Sequence, residues 1–359
     1  MMAKTIIIFF ILLIATSATA GDQALIEVAD SIRQEYGIPE LGYAVVSSDS
    51  VLEMATLGFK RANSTIAAEP NDRFHLGSCT KAITGFVAAL MVKRNEIQWN
   101  TKFFDLYPEL KTSSDSAYYD MTLADLLSHR ARIQPLTENE EFPPDDYFKD
   151  SSSQRYQFVT WVLGKKPVES EEGYSYSNAG YSAAAIMLEK ASGKTWEKLV
   201  ENVGRELGLG FGFSWPNLAD SSQPWGHSTE DSRLIPLPPS DPYNLLWVEP
   251  AGDINMSIGD FTKWIQFNLR GLQGKGPLLN KQEYEFLHYG MPDHYAIGWT
   301  WGVNSNGHKV SAHDGSADTF YCWAYIIREI DRAYIILANS ANKSGVKELL
   351  KVFLNRYGS

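Results

Sequence analysis

The chain has 359 residues, 44% hydrophobic and 13% aromatic, enough to bury a substantial core and too apolar for a disordered segment. Its 43 acidic residues against 32 basic ones give a formal net charge of −11, which disfavours nucleic acid as a partner and does nothing to attract anionic surfaces. Two cysteines, Cys79 and Cys322, cannot form a disulfide framework. Both lie in apolar stretches, where free cysteine behaves as a small hydrophobe.

In chain order, residues 1–20 carry a short basic start at Lys4, an apolar run from Ile6 to Ala15, and Ala18-Thr19-Ala20. That layout is the three-part pattern of a secretory signal with cleavage after Ala20, and the run is too short to span a bilayer comfortably. The expected mature chain, 21–359, is secreted or periplasmic, with no stable membrane insertion. "DQALIEVADSIRQEYGIP" is an amphipathic helix stopped by Gly37 and Pro39. "LGYAVVSSDSVLEMATLGF" reads as two strands turning at Ser48-Asp49-Ser50. The far end mirrors it: "TFYCWAYIIREIDRAYIILANS" gives two strands turning near Glu329-Ile330-Asp331, then a helix from Val346 to Tyr357 with Ser344 as its cap. Between them, Lys81 to about Tyr284 reads mostly helical, with Pro-, Ser- and Asp-rich loops such as Asn217 to Pro242. The expectation is an α+β fold of two lobes. An antiparallel sheet with N- and C-terminal helices (about 21–77 and 290–359) would stand beside a mostly helical lobe (about 78–289).

Several chemistries are excluded by pattern. No Gly-x-Ser-x-Gly elbow occurs. "SGKT" at Ser192 to Thr195 lacks the first glycine of a phosphate loop, because Leu188 stands there, and it reads as a helix ending at Gly193. The seven histidines include no His-x-x-x-His pair, so no metal is expected. Ser-x-x-Lys occurs three times, at Ser78–Lys81, Ser340–Lys343 and Ser344–Lys347, and alone singles out none of them. Two further stretches give the first copy its weight. Tyr176 and Asn178 stand at the mouth of the apolar helix in "YSYSNAGYSAAAIMLEKASGKTW", and His313-Asp314-Gly315-Ser316 precedes the apolar strand containing Cys322.

With "FHLGSCTK", "YSN" and "HDG" in this order, the sequence resembles the serine β-lactamase and penicillin-binding-protein superfamily, closest to its class C β-lactamase, DD-peptidase and esterase branch. "MTLADLLSHRARI", "EPAGDINMSIGDFTKWI" and "YAIGWTWG" resemble flanking family segments, so the likeness covers essentially the whole mature chain. It implies a serine hydrolase without a cofactor, acting on a small-molecule or peptide substrate through an acyl-enzyme on Ser78. Lys81 and Tyr176 would move the proton, and Asn178 would hold Lys81 and a substrate amide. Backbone N–H groups of Ser78 and Ser316 would stabilise the oxyanion. The physics agrees, since Lys81 follows Ser78 by one turn at a helix N-terminus. There the macrodipole and desolvation both favour its neutral form.

The departures bear on substrate. The resemblance places Lys-Thr-Gly at 313–315, and here His313 and Asp314 replace the two carboxylate-binding residues. An Asp314 facing the site would oppose a substrate carboxylate by about 4 kcal/mol at 4 Å and an effective dielectric near 20. "HRAR" adds Arg130 and Arg132, read as a solvated helix end. The sequence therefore points first to hydrolysis of ester or amide bonds, including D-residue peptides. The second reading is a true class C-type β-lactamase or D-alanyl-D-alanine carboxypeptidase. The third is a non-hydrolysing penicillin-binding or sensor protein on the same fold.

Overall fold

The computed structural model describes residues 22–358, except 139–140, 145–146, 149–153, 171–172, 232, 242–244 and 246. The expected signal segment lies outside the described residues. Six antiparallel strands form the main sheet, in the order Val51–Gly58, Glu40–Val46, Arg332–Ala338, Tyr321–Ile327, Lys309–Ser316, Thr300–Val303. The two chain ends thus meet at its centre, where Leu41 to Val46 pair with Ala338 to Ala333.

Period-two alternation divides this sheet between two cores. Tyr43, Val45, Tyr334 and Ile336 face one side, where they pack with the terminal helices Gln23–Glu35 and Lys343–Tyr357. Ala44, Val46, Ile335 and Leu337 face the other, toward helix Ile258–Leu272 and the helical lobe. The two expected turns are present, between Val46 and Val51 and over Arg328–Ile330. Gly193 ends its helix in the left-handed conformation, at φ 67°.

The C-terminal helix departs from expectation. It begins at Lys343, and its cap is Asn342 rather than Ser344. Asn342 Oδ1 accepts from Gly345 N (2.9 Å) while its Nδ2 donates to Tyr36 O (2.6 Å). Ser and Asn are comparable caps, and the contact to the end of the first helix selects Asn342. Lys343 and Ser344 are exposed at that helix start, and no hydrogen bond joins either C-terminal Ser-x-x-Lys pair among the described residues.

The middle of the chain is helical but not wholly so. Strands Arg73–His75, Ile254–Ser257 and Gly212–Phe213 form a small sheet, and His227–Glu230 pairs with Arg233–Pro236 inside the expected loop. Strands of two to four residues carry too little pattern to be read from sequence. Helix Thr80–Lys93 is buried from Thr80 through Met91. It packs against helices Asn178–Ser192 and Trp196–Leu207.

Candidate active site

Three segments converge. The first is the 3-10 turn Gly77–Cys79 leading into helix Thr80–Lys93, which places half-buried Ser78 at the helix entrance and Lys81 inside its first turn. The second is the entrance of helix Asn178–Ser192. Ser177 caps it by accepting from Gly180 N (3.0 Å), so Tyr176 and Asn178 flank the cap. The third is the end of strand Lys309–Ser316. Its neighbour Thr300–Val303 pairs only as far as Ala312, so among the described residues no strand pairs with 313–316 along that edge.

Lys81 is fully buried, and Nζ donates to Ser78 Oγ (3.0 Å), Asn178 Oδ1 (2.8 Å) and Ala251 O (2.9 Å). Three acceptors suit an ammonium, but burial pushes the amine's pKa well below the usual lysine value. A neutral amine has two N–H bonds and one lone pair. The two carbonyl-type acceptors take the N–H bonds, and the lone pair is left toward Ser78. Such an amine can accept the hydroxyl proton as the serine attacks. Tyr176 completes the group: burial raises its pKa, and its hydrogen bond to Ser78 opposes that shift. Lys81 Nζ lies 4.7 Å from the Tyr176 ring centroid.

The strand presses closely on the serine turn. A Cβ on Gly315 would lie 1.9 Å from Leu76 O and 2.8 Å from Ser78 N, and one on Gly77, at φ 49°, would lie 2.7 Å from Ser316 N. Only glycine permits this approach of two backbones. It sets the backbones of Ser78 and Ser316 side by side, which makes their amides the candidate donors to an oxyanion. Cys79 and Cys322 lie beneath as free, buried thiols with sulfurs 3.2 Å apart.

His313 faces this side and is buried, with Nε2 3.1 Å from Tyr295 OH and Nδ1 2.6 Å from Asp314 O. Both ring nitrogens are therefore engaged by the protein. Asp314 corrects the sequence expectation. Strand alternation turns its side chain to the opposite face, where Oδ2 accepts from Tyr321 OH (2.8 Å), a residue of the terminal-helix core. Its charge does not confront a substrate at Ser78. Arg130 is a second correction. Rather than ending a solvated helix, it donates to Ser128 O (2.7 Å), Tyr295 O (3.1 Å) and Pro292 O, with Asp293 3.6 Å away. Arg132 Nε donates to Val168 O (3.0 Å). Asn178 holds Lys81 as expected. Its Nδ2 also donates to Leu136 O (2.9 Å), so one amide hydrogen remains for a substrate.

Sequence reasoning missed His129 as a site residue. Its carbonyl accepts from Ser175 N (2.9 Å), its Nδ1 accepts from Ser177 N (3.0 Å), and its ring lies 4.3 Å from that of Tyr176. Burial, then the nearby Lys81, hold its pKa well below the usual histidine value, so it stays neutral. Its φ is 63°, a conformation a non-glycine residue adopts at a cost. The signal available was its place in "LLSHR", quoted above only as a flanking segment. Also missed were the walls of the cleft over Ser78: Leu136, Phe142, Leu245 and Val248, with Asp318 among the lining residues. These residues come from loops, where no periodicity marks them.

Among curated proteins, the chain is 26% identical over 347 residues to the Unguisins hydrolase ungD' of Aspergillus campestris, covering 90% of this chain and 62% of that protein. It is 22% identical over 315 residues to Protein flp of Staphylococcus aureus, covering 85% of this chain, and it spans only 60% of that protein's length. Among solved structures, the octameric penicillin-binding protein homologue from Pyrococcus abyssi superimposes with a TM-score of 0.76 at 19% identity, covering 94% of this chain and 77% of that one. The class C β-lactamase from Rhodobacter sphaeroides gives 0.72 at 18%, covering 93% and 100%. SurE solved with D-Leu gives 0.69 at 20%, covering 93% and 75%. These structural likenesses establish the β-lactamase/transpeptidase-like fold. The Beta-lactamase family model matches residues 25–354, nearly the whole of the described chain, and the protein belongs to that family.

Proposed function

We propose that the protein is an exported serine hydrolase that cleaves ester or amide bonds, D-residue peptides included, through an acyl-enzyme on Ser78. The observation that carries this reading is the buried Lys81 amine. It lies 3.0 Å from Ser78 Oγ, and its pKa is lowered by burial. In the proposed cycle Ser78 Oγ attacks the carbonyl carbon and its proton passes to Lys81, while the amides of Ser78 and Ser316 hold the oxyanion. The Lys81–Tyr176 pair returns the proton to the leaving group, and water then hydrolyses the ester on Ser78.

Hydrolysis is supported by the likeness to ungD', named a hydrolase of unguisins, and D-residue substrates by the likeness to SurE, whose structure was solved with D-Leu. Export is supported by the three-part pattern of residues 1–20. Intact-mass analysis after exposure to an activated short-chain ester, and separately to a penicillin, tests the reading. A transient acyl adduct from the ester, absent in Ser78→Ala and retained in Ser340→Ala and Ser344→Ala, is expected. An adduct that persists in Ser78→Ala would end it. Rapid turnover of the penicillin would instead favour a true β-lactamase.

A further inference from the structure

We infer that the cleft selects acyl donors bearing a positively charged amine beside an apolar side chain, and that Asp318 is the residue that reads the amine. This rests on the proposed role of Ser78. Leu136, Phe142, Leu245 and Val248 offer an apolar wall, while Ser78, Asn178 and Ser316 bring the polar groups of the reaction. Among the described lining residues one side chain is charged, and it is Asp318.

Asp318 lines the cleft from the exposed turn that follows Ser316. Its φ is 58°, a conformation that costs most L residues energy, and its N–H donates to Ser316 Oγ (3.3 Å). Its backbone is therefore tied to Ser316, two residues after the amide that would receive the substrate oxygen. In an aminoacyl donor the amine is one carbon from the reacting carbonyl, so a carbonyl bound at Ser316 N brings the amine toward Asp318. No cation pairs with the Asp318 carboxylate among the described residues.

The nearby basic groups are equally unavailable to an anionic substrate. Lys81 is buried among three acceptors, Arg130 is spent on backbone carbonyls, and both nitrogens of His313 are engaged. Glu138 and Glu141 are exposed just beyond Thr137 on the rim, adding to the negative field of a chain whose net charge is −11. Asp314 cannot supply this selectivity, since it faces the other side of the sheet. Asp318, four residues on, is placed to do so.

The test uses benzyl thioesters of D- and L-alanine with the amine free, N-acetylated or N-succinylated. Wild-type kcat/KM should fall in that order. Asp318→Asn should lower the ratio of free-amine to N-acetyl substrate by about two- to fivefold, the scale of an exposed ion pair. Asp318→Lys should shift preference toward the N-succinyl compound. The preference should shrink as salt is raised. The same compounds are scored for protecting Ser78 against a fluorophosphonate, which reads binding without turnover. A ratio unchanged in Asp318→Asn, or a wild-type preference for the N-succinyl compound, overturns the inference. If Ser78 takes no fluorophosphonate label, the proposed function fails and the inference with it. A labelled Ser78 with no amine preference removes the inference alone.

Discussion

Gly315→Ala isolates the contact between the strand and the serine turn. The added methyl would sit 1.9 Å from Leu76 O, whereas ordinary contact begins near 3.4 Å, so strand and turn must part by about 1.5 Å. The displaced carbonyl is not free to yield, because it also accepts from Cys79 N (3.2 Å) and Cys322 Sγ (2.9 Å). Oxyanion donors work within a window of roughly 2.7–3.1 Å, far narrower than that displacement. Loss of one donor costs about 100- to 1000-fold in kcat. Overpacking of this kind costs about 1–3 kcal/mol in stability, which a domain of this size can survive. The assay pairs a thermal melt with kcat on an activated ester. Gly302→Ala, whose methyl would meet nothing within 4 Å, serves as control. A Gly315→Ala variant that melts cooperatively and keeps more than about a tenth of wild-type kcat would refute the claim that this close approach sets the oxyanion geometry.

Two further expectations concern the proton path and its support. Lys81→Ala and Tyr176→Phe should each lower turnover by orders of magnitude, and the double variant should lose little more, since parts of one unit are non-additive. Because burial lowers the Lys81 pKa and the base is the neutral amine, kcat/KM should rise with pH through an apparent pKa below the ordinary lysine value. A pH–rate profile with its rise at or above the normal lysine value would contradict that. His129 is a positioning residue for Tyr176 and Asn178. His129→Asn offers Oδ1 to Ser177 N and tolerates the positive φ, and should retain most kcat, whereas His129→Phe keeps the ring, loses the acceptor and should lower kcat at least tenfold with KM little changed. Equal kcat in both variants would show that the hydrogen bond does not position the pair.

Much of this protein was legible along the chain because its determinants are local. Alternation marked the strands around Tyr43 and Tyr334, Gly193 marked a helix end, and the family resemblance carried by three ordered motifs implied that Ser78, Lys81, Tyr176 and Asn178 share a site. The environment of Lys81 was only partly visible. Its helix position was local, whereas the carbonyl of Ala251 arrives from 170 residues away. Asp314 shows the limit most directly. A box names residue types in order, but which face a strand residue takes depends on register against Tyr321 to Ile327, so sequence could not choose between a charge in the site and one behind it. Arg130 likewise reads as solvated until Pro292 and Tyr295 fold over it. Loop residues such as Asp318 and Phe142 carry no periodicity, so only the packing of separate segments around Ser78 brings them to the cleft. The sequence by itself determined the chemistry that can occur, because the reactive groups sit in short local patterns. Tertiary structure alone decided which charges meet the substrate, because facing and burial are set by contacts between distant parts of the chain.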